Sequence, residues 1–226
     1  MDQNIIEVDT ASSETALKDA IATAPAGSVI RISEDCKQAA FEPPANSDIT
    51  LDLGGHTLTS VGPFVGSPGT EANAFRFTKG SNITIQNGTL KCIAPSVTIL
   101  IQNYSNLTLD NVKLSGKFTY DYLLSCNAGH TILRNGTTIG SAAVASFDCY
   151  YGLNYEYDDG VTVEIEDTSV VIKGKMLYHK DNRIQDVQQW YDNAHVYIPA
   201  DYDGVAAPEG YQWVATSDGK QELKAV

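Results

Sequence analysis

Apolar and polar residues alternate with a period of two over short runs between residues 75 and 140, and the runs recur every 24 residues. The copies span 75–92, 99–116 and 123–140. In the second copy the runs are 97–102, 107–110 and 112–114. Period-two alternation marks half-buried strands. It places Ile99 and Ile101 on one side of the first run, with Thr98, Leu100 and Gln102 on the other. It turns Leu107 and Leu109 inward and Thr108 and Asp110 outward. Asn87, Asn111 and Asn135 share one phase between the second and third runs. Asn tolerates a left-handed backbone and bonds its own chain, which suits a tight bend. Stacked Asn side chains can then bond one another along a ladder.

Three strands and three bends in 24 residues predict one turn of a parallel β-helix, with equivalent strands pairing at about 4.8 Å. The expected interior stacks are Phe75/Ile99/Leu123, Phe77/Ile101, Ile85/Leu109/Leu133 and Leu90/Leu114. An antiparallel sandwich also has many short strands. It has no reason to hold Asn, Ile and Leu in phase at 24.

The flanks read as caps. Ser12 or Ser13 can cap a helix carrying Leu17, Ala20, Ile21 and Ala24 on one face, stopped by Pro25 and Gly27. A strand over 28–33 follows. An open solenoid end exposes strand edges and core, so it needs such a cover. Residues 49–59 form a first repeat core, residues 60–73 a Gly/Pro-rich insertion, and residues 143–173 a fourth, longer copy. Beyond residue 175 the repeat ends. Asp181 or Asn182 can cap a short helix, 195–198 reads as a strand, and 211–216 with 220–226 as a hairpin. The expected organisation is a cap over 1–27, a repeat body over 28–175 and a capping, oligomerisation or attachment segment over 176–226.

The order of helix, Pro25-Ala26-Gly27, the strand from Ser28 and the run from Asp48 to Leu58 resembles the N-terminal end of pectin-lyase-like right-handed β-helix proteins, over residues 12–175. The resemblance implies an all-β fold, a right-handed parallel β-helix with three strands per turn. That fold serves lyases, glycosidases, adhesins and phage proteins, so it leaves function open. The stretch 208–214 resembles tails of proteins from gut Firmicutes and their phages.

A net charge of −13 argues against nucleic-acid and anionic-membrane partners. No apolar run reaches the roughly 20 residues needed to span a bilayer. The start has neither the basic nor the apolar region of a secretory signal. Cys36, Cys92, Cys126 and Cys149 form no C-x-x-C pair and read as buried thiols. The sequons at Asn82, Asn87, Asn103, Asn106 and Asn135 coincide with strand starts and bends and read as by-products of the repeat.

A strict 24-residue period puts Asp52, Gln86, Asp110, Arg134 and Glu164 in one outward column. A lyase resembling this fold's enzymes would want clustered carboxylates for calcium and a base, which Asp110, Arg134 and Glu164 can imitate. Charges of alternating sign on neighbouring strands also simply pair. Of the polygalacturonase signatures only Asp158-Asp159 occurs, so that family's catalytic residues cannot be carried over. The 156–160 loop lacks the ligand spacing of a calcium loop. His56 lies in a bend with no evident partner. No metal or cofactor is expected.

Two features point to contact. Leu100, Tyr122 and Leu124 fall on one outward stripe, and an exposed apolar stripe marks an interface. Nine of twelve tyrosines and both tryptophans lie from Tyr150 onward, with Trp190, Tyr191 and Trp213 the prominent candidates. The expected function is a non-enzymatic structural or attachment protein: a phage virion component such as a capsid decoration, head-fibre or tail-associated protein. It would self-associate with closed, threefold symmetry and bind another structural protein or a surface glycan. A secreted or cell-surface adhesin or carbohydrate-binding module, and a polysaccharide lyase or hydrolase, are the alternatives.

Overall fold

The computed structural model describes residues 4–66, 69, 71–117, 119–152 and 160–226. Strand β1 (Ile5–Val8) leads through helix α1 (Ala16–Thr23) to β2 (Ser28–Ile32), β3 (Cys36–Ala39), β4 (Asp48–Asp52) and β5 (Thr57–Val61). The repeat supplies β6 (Asn73–Phe77), β7 (Asn82–Lys91), β8 (Ile99–Asn103), β9 (Asn106–Ser115), β10 (Tyr122–Cys126), β11 (Gly129–Arg134) and β12 (Thr138–Ile139). Then come β13 (Ala145–Tyr151), β14 (Val161–Ile165), β15 (Val171–Ile172) and β16 (Met176–Lys180). Helix α2 (Val187–Asn193), β17 (Ala194–Pro199), β18 (Tyr211–Ala215) and β19 (Lys220–Ala225) close the chain. The fold is all-β. One sheet runs β1-β2-β4-β7-β9-β11-β14-β17 in parallel and ends in antiparallel β19 and β18, so it is mixed. A second, wholly parallel sheet runs β16-β13-β10-β8-β6.

The first sheet keeps the 24-residue register. Asn82 pairs with Asn106, Ile83 with Leu107 and Leu107 with Thr131, while Ile85, Leu109 and Leu133 stack as one buried column. The bend is what holds this register. Asn87, Asn111 and Asn135 all sit at positive φ, between 54° and 58°. The chain passes through the first two without leaving the sheet, so β7 and β9 are each one ten-residue strand rather than two. After Asn135 one extra residue, Gly136, breaks the run. Buried Thr137 repairs it: its Oγ1 donates to the Leu109 carbonyl and accepts from Val112 N. Gly88 is required beside Asn87, because a Cβ there would lie 2.5 Å from both Leu53 Cβ and the His56 carbonyl.

The second sheet does not keep the period. Phe75 pairs with Ile101, 26 residues on, and Ile101 with Leu124, 23 on. The expected stacks Phe75/Ile99/Leu123 and Phe77/Ile101 are therefore not formed. Phe75, Ile101, Leu124, Phe147 and Met176 share a column instead. This corrects the interface expectation. Leu100 and Leu124 are both 0% exposed, and Tyr122 is only half-buried. The register shift turns Leu124 into the core column. Leu100 and its neighbour Leu123 are buried at the alternate position, where Leu123 closes against Gly116 and Gly140. No outward apolar stripe exists at Leu100, Tyr122 and Leu124.

Helix α1 buries Leu17 and Ile21 against the core, but neither Ser12 nor Ser13 caps it. Thr15 is the N-cap and makes no side-chain capping bond. The donor is satisfied from another strand. Buried Gln38 accepts from Leu17 N through Oε1 and donates through Nε2 to the carbonyls of Thr10 and Ser13. Helix α2 is likewise capped by Asp186, whose carboxylate accepts from Gln188 N and Gln189 N, not by Asp181 or Asn182.

Gln38→Leu leaves the Leu17 N–H and two carbonyls without their partner in a buried site. Each such loss costs about 1–3 kcal/mol, so chemical denaturation should report a loss of at least that order. An unchanged midpoint would show that the Gln38 bonds do not hold α1.

Candidate functional site

The outward column of the first sheet is an ionic ladder. Glu7, Arg31 and Asp52 pair in register, then Gln86, Asp110 and Arg134. Arg31 bonds Glu7 at 3.4 Å and Asp52 at 3.0 Å. Arg134 bonds Asp110 at 2.8 Å and Glu166 at 3.5 Å. Burial pushes Asp52 up, but bonds from Gly54 N, Asn87 and Arg31 outweigh it and hold the carboxyl below its ordinary value. The bond to Asp110 raises the Arg134 guanidinium. The Asn ladder is tied into the same column. Asn111 Nδ2 donates to Asn87 Oδ1, while Asn87 and Asn135 donate to Asp52 and Asp110.

Glu164 is not in this column. Leu133 pairs with Ile165, so the neighbour of Arg134 is Glu166, and Glu164 lies two positions back, opposite Ile132. The long connection between β11 and β14 breaks the 24-residue count on which its placement rested. The set Asp110, Arg134 and Glu164 is therefore not brought together.

Glu164 belongs to a cleft where the β18–β19 hairpin meets the first sheet. It accepts from Lys220 Nζ at 2.6 Å and lies 3.0 Å from His130 Nε2. A second set stands beside it: His195 Nδ1 is 2.8 Å from Glu222 Oε1, and Lys224 Nζ is 2.6 Å from the same oxygen. The open cleft measures about 440 Å³ and includes Tyr197, Thr162 and Asp218. Burial pushes Glu222 up, but the bonds from Lys224 and His195 prevail and lower it. The Glu164 bond raises Lys220. Each carboxylate here is held by one lysine and one histidine, which docks the hairpin.

The aromatic tail is largely a cap core. Trp190 is 7% exposed and stacks on Tyr178 at 4.8 Å, with Tyr191 and Tyr211 packed around it. Trp213 is half-buried and its indole N–H donates to the Val205 carbonyl. The ring that remains accessible is that of Tyr191. With Tyr178, Gln188, Asp192, Leu223 and Lys224 it lines a groove of about 280 Å³.

One group escaped the sequence reading. Asp148 is 2% exposed on β13. Its Oδ2 lies 2.9 Å from His179 Nε2 on β16 and its Oδ1 accepts from Cys126 N. Burial raises Asp148, against the opposing bonds from His179, Ser125 and Cys126 N. Burial and Asp148 push Tyr122 up to about 12. A polar residue at an otherwise apolar strand centre was the available signal. His56 likewise has a partner, with Asp35 Oδ1 3.7 Å from its Nδ1. Residues 156–159 of the expected acidic loop lie outside the described residues. Cys92, Cys126 and Cys149 are buried free thiols, and burial raises Cys126 and Cys149. Among the described residues no cluster of three or more His, Cys, Asp or Glu side chains fits a metal ion. No helix is long and apolar enough to cross a membrane.

Comparison with protein-family models, characterised proteins and solved structures finds no match to this chain.

Because the folded state lowers Glu222, its contribution is present above the ordinary carboxyl value of 4.5 and is lost as pH falls through the folded value. Glu222→Gln should therefore cost about 1 kcal/mol at neutral pH and almost nothing well below pH 4. Equal losses at both pH values, read by urea denaturation, would remove the ionic account of hairpin docking.

Proposed function

We propose that this chain is a right-handed parallel β-helix acting as a non-catalytic structural or attachment rod. The observation that carries the reading is the ionic ladder. A candidate acid or base needs a group free to exchange a proton with substrate. Asp110 is taken by Arg134 and Asn135, Arg134 by Asp110 and Glu166, and Glu164 by His130 and Lys220. Salt bridges of this half-exposed kind contribute about 1 kcal/mol or less each, and they shield the column from like-charge repulsion between stacked strands. The parallel strands with their 24-residue register, and the left-handed Asn bends, support the β-helix. A phage virion is the setting proposed for the rod, on its acidity and its resemblances in sequence. Attachment at a cell surface is the other setting.

Glycan binding is a second reading, favoured by the groove around Tyr191. Its ring, with Gln188, Asp192 and Lys224 beside it, offers an aromatic face and hydrogen-bonding groups together. A glycan array probed with the protein and its Tyr191→Ala variant tests it, and a blank array removes it.

Incubation with polygalacturonate and alginate tests the principal reading. The wild-type protein should release no unsaturated uronide, seen as ultraviolet absorbance, and no reducing ends. Release that disappears in Arg134→Ala would overturn the non-catalytic reading. Arg134→Ala should instead lower stability by about 1–2 kcal/mol, because Asp110 and Glu166 are left facing each other across the gap.

A further inference from the structure

The first sheet ends in an unprotected edge. Strand β18 is its last member, and among the described residues nothing pairs with its outer side. Val226 N donates to the Gly210 carbonyl and Thr216 N to the Lys220 carbonyl. Antiparallel pairing alternates, so the even positions of β18 bond β19 and the N–H and C=O groups of Trp213 and Ala215 point outward. Such an edge is a template for another strand unless it is blunted by charge, Pro, a bulge or a cover. Strand β18 has none of these. Its residues are Tyr211, Gln212, Trp213, Val214 and Ala215, with Val214 39% exposed. The opposite end of the sheet differs, because β1 carries Glu7.

Charge selects the place. The whole chain has 28 acidic and 15 basic residues, so two copies repel over most of their surface. The hairpin is the exception. Residues 211–226 carry Asp218 and Glu222 against Lys220 and Lys224, and are neutral in net side-chain charge.

We propose that β18 is a self-association edge, pairing antiparallel with β18 of a second copy across a twofold axis. The first sheet would then continue through both molecules. Antiparallel pairing of a strand with itself satisfies both edges at once and closes the assembly, whereas pairing of β18 with β1 would leave free edges and grow a filament. Tyr211 and Trp213 would supply aromatic cross-strand contacts, and no ionised side chain would face another. The inference goes beyond the structural reading above and replaces the buried Leu100/Leu124 stripe, with its threefold symmetry, as the surface for self-association.

Light scattering coupled to size-exclusion chromatography over a range of concentrations is the test, with hydrogen exchange as a second readout. The wild-type chain should shift from monomer to dimer as concentration rises, and the amides of Trp213 and Ala215 should gain protection in step. Ala215→Pro removes an outward N–H without touching the bonds to β19, a substitution edge strands tolerate. It should give a monomer with an unchanged melting temperature. The Gln212→Glu, Val214→Glu double variant places carboxylates along the edge and should do the same if Ala215→Pro perturbs the hairpin. A wild-type chain that stays monomeric at the highest concentration, a trimer, or dimerisation unaffected by either folded variant would overturn the proposal.

Discussion

The left-handed bend at Asn87, Asn111 and Asn135 is the constraint on which the rest of the molecule depends. A residue held at positive φ reverses the direction of the chain at no cost in sheet pairing, so the strand on either side of it can pair with the same neighbours. Once one bend is placed, the next must stack upon it, because the hydrogen bonds of both flanking segments fix its height. Gly88 shows how little freedom is left: a Cβ would collide with Leu53 and the His56 carbonyl. The side chains then act second. Asn111 bonds Asn87, but Asn87 and Asn135 turn to Asp52 and Asp110, so the bends and the ionic column are one network. The insertion of Gly136 is the revealing exception. The sheet survives it only because Thr137 reaches into the core to bond Leu109 and Val112.

Legibility followed this constraint. Where the bend anchors the register, the sequence period and the pairing agree, as at Ile85, Leu109 and Leu133. The second sheet lies across links with no such anchor. Their lengths vary, and the fold absorbs the difference as register offsets of 26 and 23 residues. Because strand faces alternate, an odd offset exchanges the two faces of a strand. Leu124 moved from an expected outer stripe to the core for this reason. Leu100 is a different failure: alternation alone does not reveal what covers the other face, and adjacent residues can both be buried. The same arithmetic misplaced Glu164. A charge ladder read from a period is only as good as the period, and the 143–173 copy had already left it.

The caps were legible as caps and not as chemistry. The periodicity of Leu17 and Ile21 located α1, but its N-terminus is held by Gln38, which is 21 residues away in sequence and has no local pattern to announce it. The aromatic tail shows the complementary limit. Composition identified a cluster, and the structure divides it into rings that fill the cap, Trp190 and Tyr178, and one that borders a groove, Tyr191. Enrichment of aromatic residues measures apolar area, which cores and binding surfaces need alike.

Parallel stacking also dictates where charge can be carried. Equivalent residues of successive strands sit about 4.8 Å apart, so an outward column of one sign would repel along its whole length. In a chain with an acidic excess of 13 this is a general problem, and the structure meets it by alternation. Glu7, Arg31 and Asp52 form one run of alternating sign and Asp110, Arg134 and Glu166 another, with uncharged Gln86 between the two aspartates. The excess acid is thereby displaced from the stacked columns to the links and loops. The two ends of the sheet then become chemically unequal. One begins with Glu7, while the other closes on a hairpin whose lysines are spent on Glu164 and Glu222 and whose last strand bears no charge. A stack that must alternate its charges along its length can change sign-free only where it stops, which is why its terminal strand is the place where the backbone itself, rather than a charged side chain, is left facing outward.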